Sequence, residues 1–358
     1  MKRIWSAAQA SLLFLDPEMA HETSLRALEA GVYPRPSKQN DPRLAQTLFG
    51  LRFPNPIGVA AGYDKDARVY NALFAMGFGF AEAGTVTPEP QAGNPRPRLF
   101  RLVRERGVIN RLGFNNQGHA AAQLKLAARP PRGVLGVNIG ANRETDDPIT
   151  DYAAGVYAFG ALASYLTVNI SSPNTPGLRN LQAPDRLNAL LGTIIAVRKT
   201  LPAPVPLLVK LSPDLEDGDI APIASCLLAH GVDGAILTNT TTSREGVPAG
   251  SHHGEGGGLS GRPLFARSTR MLAKFYIATK GKLPLIGAGG IDSPKAALAK
   301  FHAGASLIQL YTGLIYEGPG LVQEIKDVLR GEITKEGGFG GLVGKDAERW
   351  AAHRSGTG

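Results

Sequence analysis

The stretch LPLIGAGGIDSPKAALAKFHAGASLIQLYTGL, residues 283–314, reads as strand, glycine loop, helix, strand. An apolar run ends at Gly289-Gly290, Ser293-Pro294 supplies a cap and a first helical turn, and a second apolar run follows. The same unit recurs from residue 57 onward. Its apolar runs are PIGVAAG (56–62), GFAEAGTVT (79–87), VLGVNIGA (134–141), YLTVNISS (165–172), PLLVKLSPD (206–214), GAILTNTT (234–241), LPLIGAGG (283–290) and SLIQLYTGL (306–314). Helical patterns such as DYAAGVYAFGALA and DRLNALLGTIIAVRK separate them. Eight strands, each followed by a helix, predict an α/β fold: a (β/α)8 TIM barrel. A doubly wound open sheet is the alternative, and the even size of the units favours closure.

Almost every run ends in polar or glycine-rich sequence: AAGYDKD, GTVTP, NIGANRE, NISSPNTPG, KLSPD, TNTT, GAGG, YTG. Barrel closure brings these ends to the carboxyl-end face, where barrel enzymes keep their active sites. Gly289, Gly290 and the YTG of 311–313 follow the seventh and eighth strands, a common phosphate position. Asn110, Asn169, Asn174 and Asn239 offer paired donors and acceptors suited to a planar heterocycle. Lys65 and Lys210 add positive charge, one for a carboxylate, the other for a reduced, anionic cofactor ring. Ser171 and Ser172 are candidate bases; strand alternation places Asn169 and Ser171 on one face and Ser172 at the turn before Pro173. No GxSxG elbow is present and no His lies beside the motif in sequence, which argues against a hydrolase triad.

Composition narrows the classes further. The chain has 358 residues, 44 Gly, 26 Pro and one cysteine, Cys226, which excludes a disulfide framework and a Cys/His zinc site. Of its net charge of +9, much falls in residues 91–111, with six Arg against one Glu. By itself that stretch reads as a solvated face, and without aromatic–basic interleaving it does not predict nucleic-acid binding. No run is long enough to span a bilayer. Residues 1–35 read as two short helices, the first through Trp5, Ala8, Leu12 and Leu13. The second is capped by Asp16, with Pro17 in its first turn and Leu25 and Leu28 on an apolar face. Periodicity alone favours helices packed on the main domain over a membrane-lying surface. TLFGLRFPNP (47–56) predicts a hairpin plugging the lower end of the barrel. Residues 98–116 are expected to fold over its top, and the tail from 331 to pack loosely with a frayed end.

Read together, AAGYDKD, INRLGFNNQG, VNIGANRE, NISSPNTPGLR, GGLSGRPL, GAGGID and GASLIQLYTGLIYEGP resemble the dihydroorotate dehydrogenases, in the quinone-dependent, membrane-associated class 2 of bacterial type. The resemblance runs in order from LDPEMAH to about residue 330. It implies an enzyme holding one FMN per chain that oxidises dihydroorotate to orotate in pyrimidine synthesis and passes electrons to a membrane quinone. By resemblance the flavin contacts are Ala61, Gly62, Tyr63, Asp64, Thr85, Asn138 and Asn169, with Lys210, Thr238, Gly261, Gly290, Tyr311 and Thr312. Substrate contacts are Lys65, then Asn110, Arg111, Leu112, Gly113 and Phe114, then Asn169, Asn174, Asn239 and Thr240. Ser172 is the implied base, with Thr175 and Phe114 shaping its proton exit; Ser171 has no assigned role.

His21, Arg101 and Tyr311 are implied to line a quinone path under an N-terminal helical extension, residues 1–40, that meets the lipid surface. The barrel then spans 41–335 and the tail 336–358. No metal is implied, and a monomer, peripheral on the cytoplasmic side of the inner membrane, is expected. Relatives often carry Lys where this chain has Ala141. The soluble class of the same enzyme uses a cysteine base, and the only cysteine here lies in a helical pattern. A sugar-phosphate aldolase or isomerase, or a non-catalytic flavin-binding barrel, are the remaining alternatives.

Overall fold

The computed structural model describes residues 9–36, 40–250 and 252–353. Eight parallel strands close into a barrel: β1 (Ile57–Asp64), β2 (Phe80–Val86), β3 (Val134–Ile139), β4 (Tyr165–Asn169), β5 (Leu207–Leu211), β6 (Gly234–Leu237), β7 (Leu285–Ala288) and β8 (Ala305–Leu310). Each strand pairs with its sequence neighbours, and β8 returns to β1 through Ile308 opposite Ile57. The closed barrel predicted from the repeat is therefore what forms. Ser293, the predicted cap, accepts the Ala296 N–H at 3.2 Å at the start of the helix Pro294–His302.

Period-two alternation sorts the strand residues between two environments. Outward residues such as Ala81, Val137, Leu166 and Val209 join the large core between barrel and helices. Inward residues stack in layers, as barrel interiors do. The lowest is apolar: Phe80, Tyr165, Leu208, Ile236, Ile286 and Leu307. Its floor is the predicted hairpin, Gln46–Leu48 against Leu51–Phe53, with Phe53 edge-on to Phe80 at 5.4 Å between centroids. The two turn residues, Phe49 (φ 55°) and Gly50 (φ 73°), both adopt positive φ, as a two-residue hairpin with right-twisted strands requires. One turn up, the inward residues become polar: Glu82, Thr167 and Gln309, then Asn138, Asn169 and Lys210.

The insertion after β2 contributes Leu99–Leu102 and Gly107–Asn110 to a three-stranded antiparallel sheet, completed by Gly258–Gly261 from the segment after β6. Two expectations are corrected here. The arginine stretch is only in part a solvated face: Arg96 and Arg104 are exposed, but Arg98 is buried and pairs with Glu18 at 2.8 Å, and Arg101 donates to the carbonyls of Leu12, Leu13 and Leu15. Arg111 pairs with Glu255 at 2.6 Å and stacks on Phe100. Nor does the tail pack loosely: Leu342 and Ala347 are buried, and Trp350 meets Phe265 edge-on at 5.7 Å. The expected frayed end, 354–358, lies outside the described residues.

Of the two expected N-terminal helices, the first falls partly outside the described residues, of which 9–12 are helical. The second, Pro17–Glu29, is capped as predicted: Asp16 accepts the N–H groups of Glu18 (2.9 Å) and Met19 (3.1 Å). Leu25 and Leu28 are buried against the barrel, and no described helix is long and apolar enough to cross a membrane.

Candidate active site

A cavity of about 550 Å³ opens at the carboxyl ends of the strands and continues outward beneath the N-terminal helix. Its inner part is lined by Ala61, Gly62, Thr85, Asn169, Lys210, Thr238, Gly261, Gly290, Tyr311 and Thr312. Lys65, Asn110, Leu112, Gly113, Phe114, Ser172, Asn174, Asn239 and Thr240 form its side wall. His21, Tyr63 and Arg101 line the outer part with Leu12, Leu13, Ala27, Leu28 and Val32, so the outer lining is mostly apolar.

The polar floor is built as one network. Asn138 Nδ2 donates to Glu82 at 2.7 Å, Thr85 Oγ1 donates to Asn138 Oδ1 at 2.6 Å, and Asn169 Nδ2 bridges both at 3.0–3.1 Å. Glu82 also accepts from Tyr165 Oη at 3.3 Å and from Gln309 Nε2. Every orientation of these amides is therefore fixed before any ligand arrives, the condition for reading a planar ring edge. Burial lowers the proton affinity of Lys210, which sits above this floor, and the Glu82 charge opposes that effect.

The loop after β4 separates its two serines. Ser171 is fully buried (0% exposed); its hydroxyl donates to Asn169 Oδ1 at 3.2 Å and accepts from Asn239 Nδ2 at 3.0 Å. Ser172 faces the cavity, and its oxygen accepts the Asn174 N–H at 3.2 Å. Asn174 Nδ2 in turn reaches Asn110 Oδ1 at 3.2 Å, tying the loop to the insertion after β2. Arg179 holds the loop from behind, donating to the Ser171 carbonyl at 3.0 Å while paired with Asp214 at 2.9 Å.

Lys65 donates to the Gly62 carbonyl at 2.8 Å, and burial lowers its pKa to about 8. An aromatic series leads outward: Tyr311 lies edge-on to Tyr63 at 5.9 Å, and Tyr63 to His21 at 5.3 Å. Burial, then the nearby Lys65 charge, brings the His21 pKa down to about 3, so the imidazole is neutral at physiological pH. The helix carrying His21 is held by Glu18–Arg98 and by Arg68, which pairs with Glu22 and Glu29 at 2.8 Å.

Besides Ser171 and Thr175, three of the implied cofactor and substrate contacts do not line the cavity. Asp64 is buried and accepts the N–H groups of Arg68 and Val69, which makes it a loop brace. Arg111 is engaged by Glu255 and Phe100. Asn138 lies one layer below, under Thr85 and Asn169. Conversely, Glu82 and Gln309, which the motifs do not single out, belong to the floor of the site. Their signal was a single charged or amide residue at an inward position of an otherwise apolar strand, GFAEAG and SLIQL. Among the described residues no cluster of three or more His, Cys, Asp or Glu suits a metal ion.

The cavity also has a backbone cradle. Gly289 and Gly290 take φ of 96° and 75°, and a Cβ on Gly290 would lie 2.4 Å from Phe265 Cα. Only glycine allows the chain this close approach and this conformation. With the amide-lined floor and a buried lysine, this donor set fits a phosphorylated, heterocyclic cofactor.

Comparison with known proteins agrees with this geometry. The family profile described as dihydroorotate dehydrogenase matches residues 43–333. The chain is similar to the dihydroorotate dehydrogenase (quinone) of Agrobacterium fabrum, 51% identical over 357 residues and covering 98% of each chain. That of Parvibaculum lavamentivorans is 52% identical over 335 residues, 93% of this chain and 95% of that one. A crystal structure of the Eimeria tenella enzyme in complex with ferulenol superposes with a TM-score of 0.88. It is 38% identical, covering 93% of this chain and 96% of that chain.

Proposed function

The chain belongs to the dihydroorotate dehydrogenase family, and from that premise we propose that it oxidises dihydroorotate to orotate in pyrimidine synthesis and passes the electrons to a quinone. It is a flavin-dependent oxidoreductase by that membership. The observation that carries the quinone reading is the continuity of one cavity from an amide-lined barrel mouth to an apolar outer chamber under the N-terminal helix. A soluble acceptor such as fumarate or NAD has no need of such a chamber. A quinone has an apolar tail that does.

The cofactor in this reading is one FMN per chain in a monomer. Thr85, Asn169, Lys210 and Thr238 would meet its ring, and Gly261, Gly290, Tyr311 and Thr312 its phosphate side. When bound, it supplies the acceptor for the hydride equivalent leaving the substrate and the donor for the quinone. The chain's own residues do the rest. Asn174 donates to Asn110, and Asn239 donates to Ser171 and Asn169, bonds that fix which amide edge faces the substrate. Lys65 offers positive charge to the substrate carboxylate. Ser172 takes the proton from the substrate carbon as its own hydroxyl proton passes outward; the Asn174 N–H, donating to the serine oxygen, holds that oxygen at the cavity wall. Phe114 and Thr175 flank the route by which that proton leaves.

Membrane contact fits the same picture. Phe14, at the turn between the N-terminal helices, is 91% exposed and Met19, in the first turn of the second, 61%, a placement that suits insertion among lipid headgroups at the cytoplasmic side of the inner membrane. The test is direct. Purified protein should be yellow, bleach with dihydroorotate under anaerobic conditions, and recover colour with a short-chain quinone. Recovery with fumarate or NAD and not with quinone would move the chain to the soluble class.

A further inference from the structure

Lys300, on the helix Pro294–His302, is fully buried (0% exposed), although a lysine ammonium is rarely so enclosed without a carboxylate. Its Nζ donates to Ser268 Oγ at 2.6 Å and to the Ala288 carbonyl at 3.4 Å, and it lies 5.4 Å from the centroid of the Phe265 ring. Among the described residues it forms no ion pair. Burial alone pushes its pKa well below the ordinary lysine value, so the site lacks a counter-charge.

The contacts lead to the glycine cradle. Ser268 Oγ, its oxygen engaged by Lys300, has the Gly289 carbonyl at 3.0 Å and the Phe265 carbonyl at 3.1 Å as acceptors. A Cβ on Gly289 would lie 3.0 Å from that same oxygen, so serine and glycine are in direct contact. In a planar trans peptide the C=O and the next N–H point in opposite directions. Drawing the Gly289 carbonyl back toward Ser268 therefore turns the Gly290 N–H the other way, and Gly290 lines the cavity.

We propose that Lys300 is a positioning residue for an anionic group of the cofactor. Through Ser268 it sets the Gly289–Gly290 peptide with its amide toward the cavity, and a phosphate dianion held there is the counter-charge the ammonium lacks. This rests on the reading that the Gly289–Gly290 loop takes a flavin phosphate, and the experiment separates the two.

Holoenzyme is equilibrated with mixtures of FMN and riboflavin, which differ only in the phosphate, and the flavin retained after desalting is identified. Wild-type protein is expected to prefer FMN strongly, and Lys300→Met to reduce that preference by about tenfold or more while riboflavin still binds. No preference in the wild type overturns the phosphate reading. A wild-type preference unchanged in Lys300→Met overturns the role of Lys300. If Lys300→Met fails to fold, Ser268→Ala decides by the same ratio, because it removes the link between lysine and peptide.

The ³¹P resonance of bound FMN, followed against pH, gives a readout that a packing defect does not move. The second ionisation of the phosphate lies lower with Lys300 present than with Met. The nearby titrating groups, Asp292 paired with Arg262 and His302 paired with Asp346, are the same in both proteins. Equal ionisation in both proteins overturns the charge role.

Discussion

The backbone N–H of Asn174 donates to the Ser172 hydroxyl oxygen at 3.2 Å, whereas the neighbouring Ser171 hydroxyl is spent on Asn169 and Asn239. Two adjacent serines thus have separate surroundings, and the proposed roles predict separate effects. Ser172→Ala is expected to slow anaerobic flavin reduction by dihydroorotate by ~10²–10⁴-fold, the usual worth of a positioned base, with flavin still bound. Ser171→Ala instead removes one hydrogen bond from each of Asn169 and Asn239, which still bond each other, and is expected to cost about 1 kcal/mol of stability. Stopped-flow reduction and urea unfolding of both variants distinguish the roles. Native-rate reduction in Ser172→Ala removes it as the base.

With Lys65 as the proposed partner of the substrate carboxylate, the substrate step is expected to be pH-dependent. The Lys65 pKa is lowered to about 8 by burial, so the charged form that attracts a carboxylate is complete only below that value. As pH rises through about 8 the charge is lost, and the KM for dihydroorotate should rise by up to ~10-fold per unit. In Lys65→Met the KM is expected to be high at all pH values and flat across that window. A wild-type KM that stays flat from about pH 6 to pH 10 contradicts the assignment.

How much of this was legible in the sequence depends on what kind of signal each residue emits. The barrel was readable because eight strand–loop–helix units repeat, and the hairpin plug because Phe49-Gly50 is a turn between apolar residues. Asn110, Asn169 and Asn239 were readable as polar residues ending apolar runs. The arginine stretch was not, because the partner of Arg98 is Glu18, 80 residues away, and no local pattern announces such a pair. Tail packing through Trp350 on Phe265 was equally non-local. Bare spacing selected Ser172 over Ser171 only weakly; the hydrogen bonds that occupy Ser171 supply the physical reason.

Glu82 is a buried carboxylate receiving Asn138, Tyr165 and Gln309. Replacing it with Leu strands three donors in the barrel centre and removes the charge that opposes the desolvation of Lys210. Removing one partner from such a buried charged network costs about 3–5 kcal/mol. Glu82→Leu should therefore show a large drop in the urea midpoint and poor flavin retention, and Glu82→Gln a smaller drop, since its amide oxygen still accepts. Equal stability of all three proteins would mean that the donors find other partners.

Arg68 fixes the N-terminal helix by pairing with Glu22 and Glu29, both partly exposed, so each contact is screened and worth only ~0–1 kcal/mol. The Arg68 side chain is replaceable without touching the floor of the site, since only its backbone N–H braces Asp64. Arg68→Met is expected to raise the KM for quinone by about fivefold and to leave flavin reduction by dihydroorotate unchanged. The pH dependence of the clamp has a definite sign. The Glu22 pKa is lowered to about 2, first by its hydrogen bonds from Arg68. A depressed carboxylate contributes its stabilisation fully above the ordinary glutamate value and loses it as pH falls toward about 2. Near neutral pH the clamp is therefore intact, and its sensitivity should be to salt, with quinone KM rising at high ionic strength in the wild type and little further in Arg68→Met. Steady-state assays with quinone varied at two salt concentrations, beside stopped-flow flavin reduction, measure both halves. A variant that slows flavin reduction and quinone turnover equally would show that the helix supports the whole site and not the outer chamber alone.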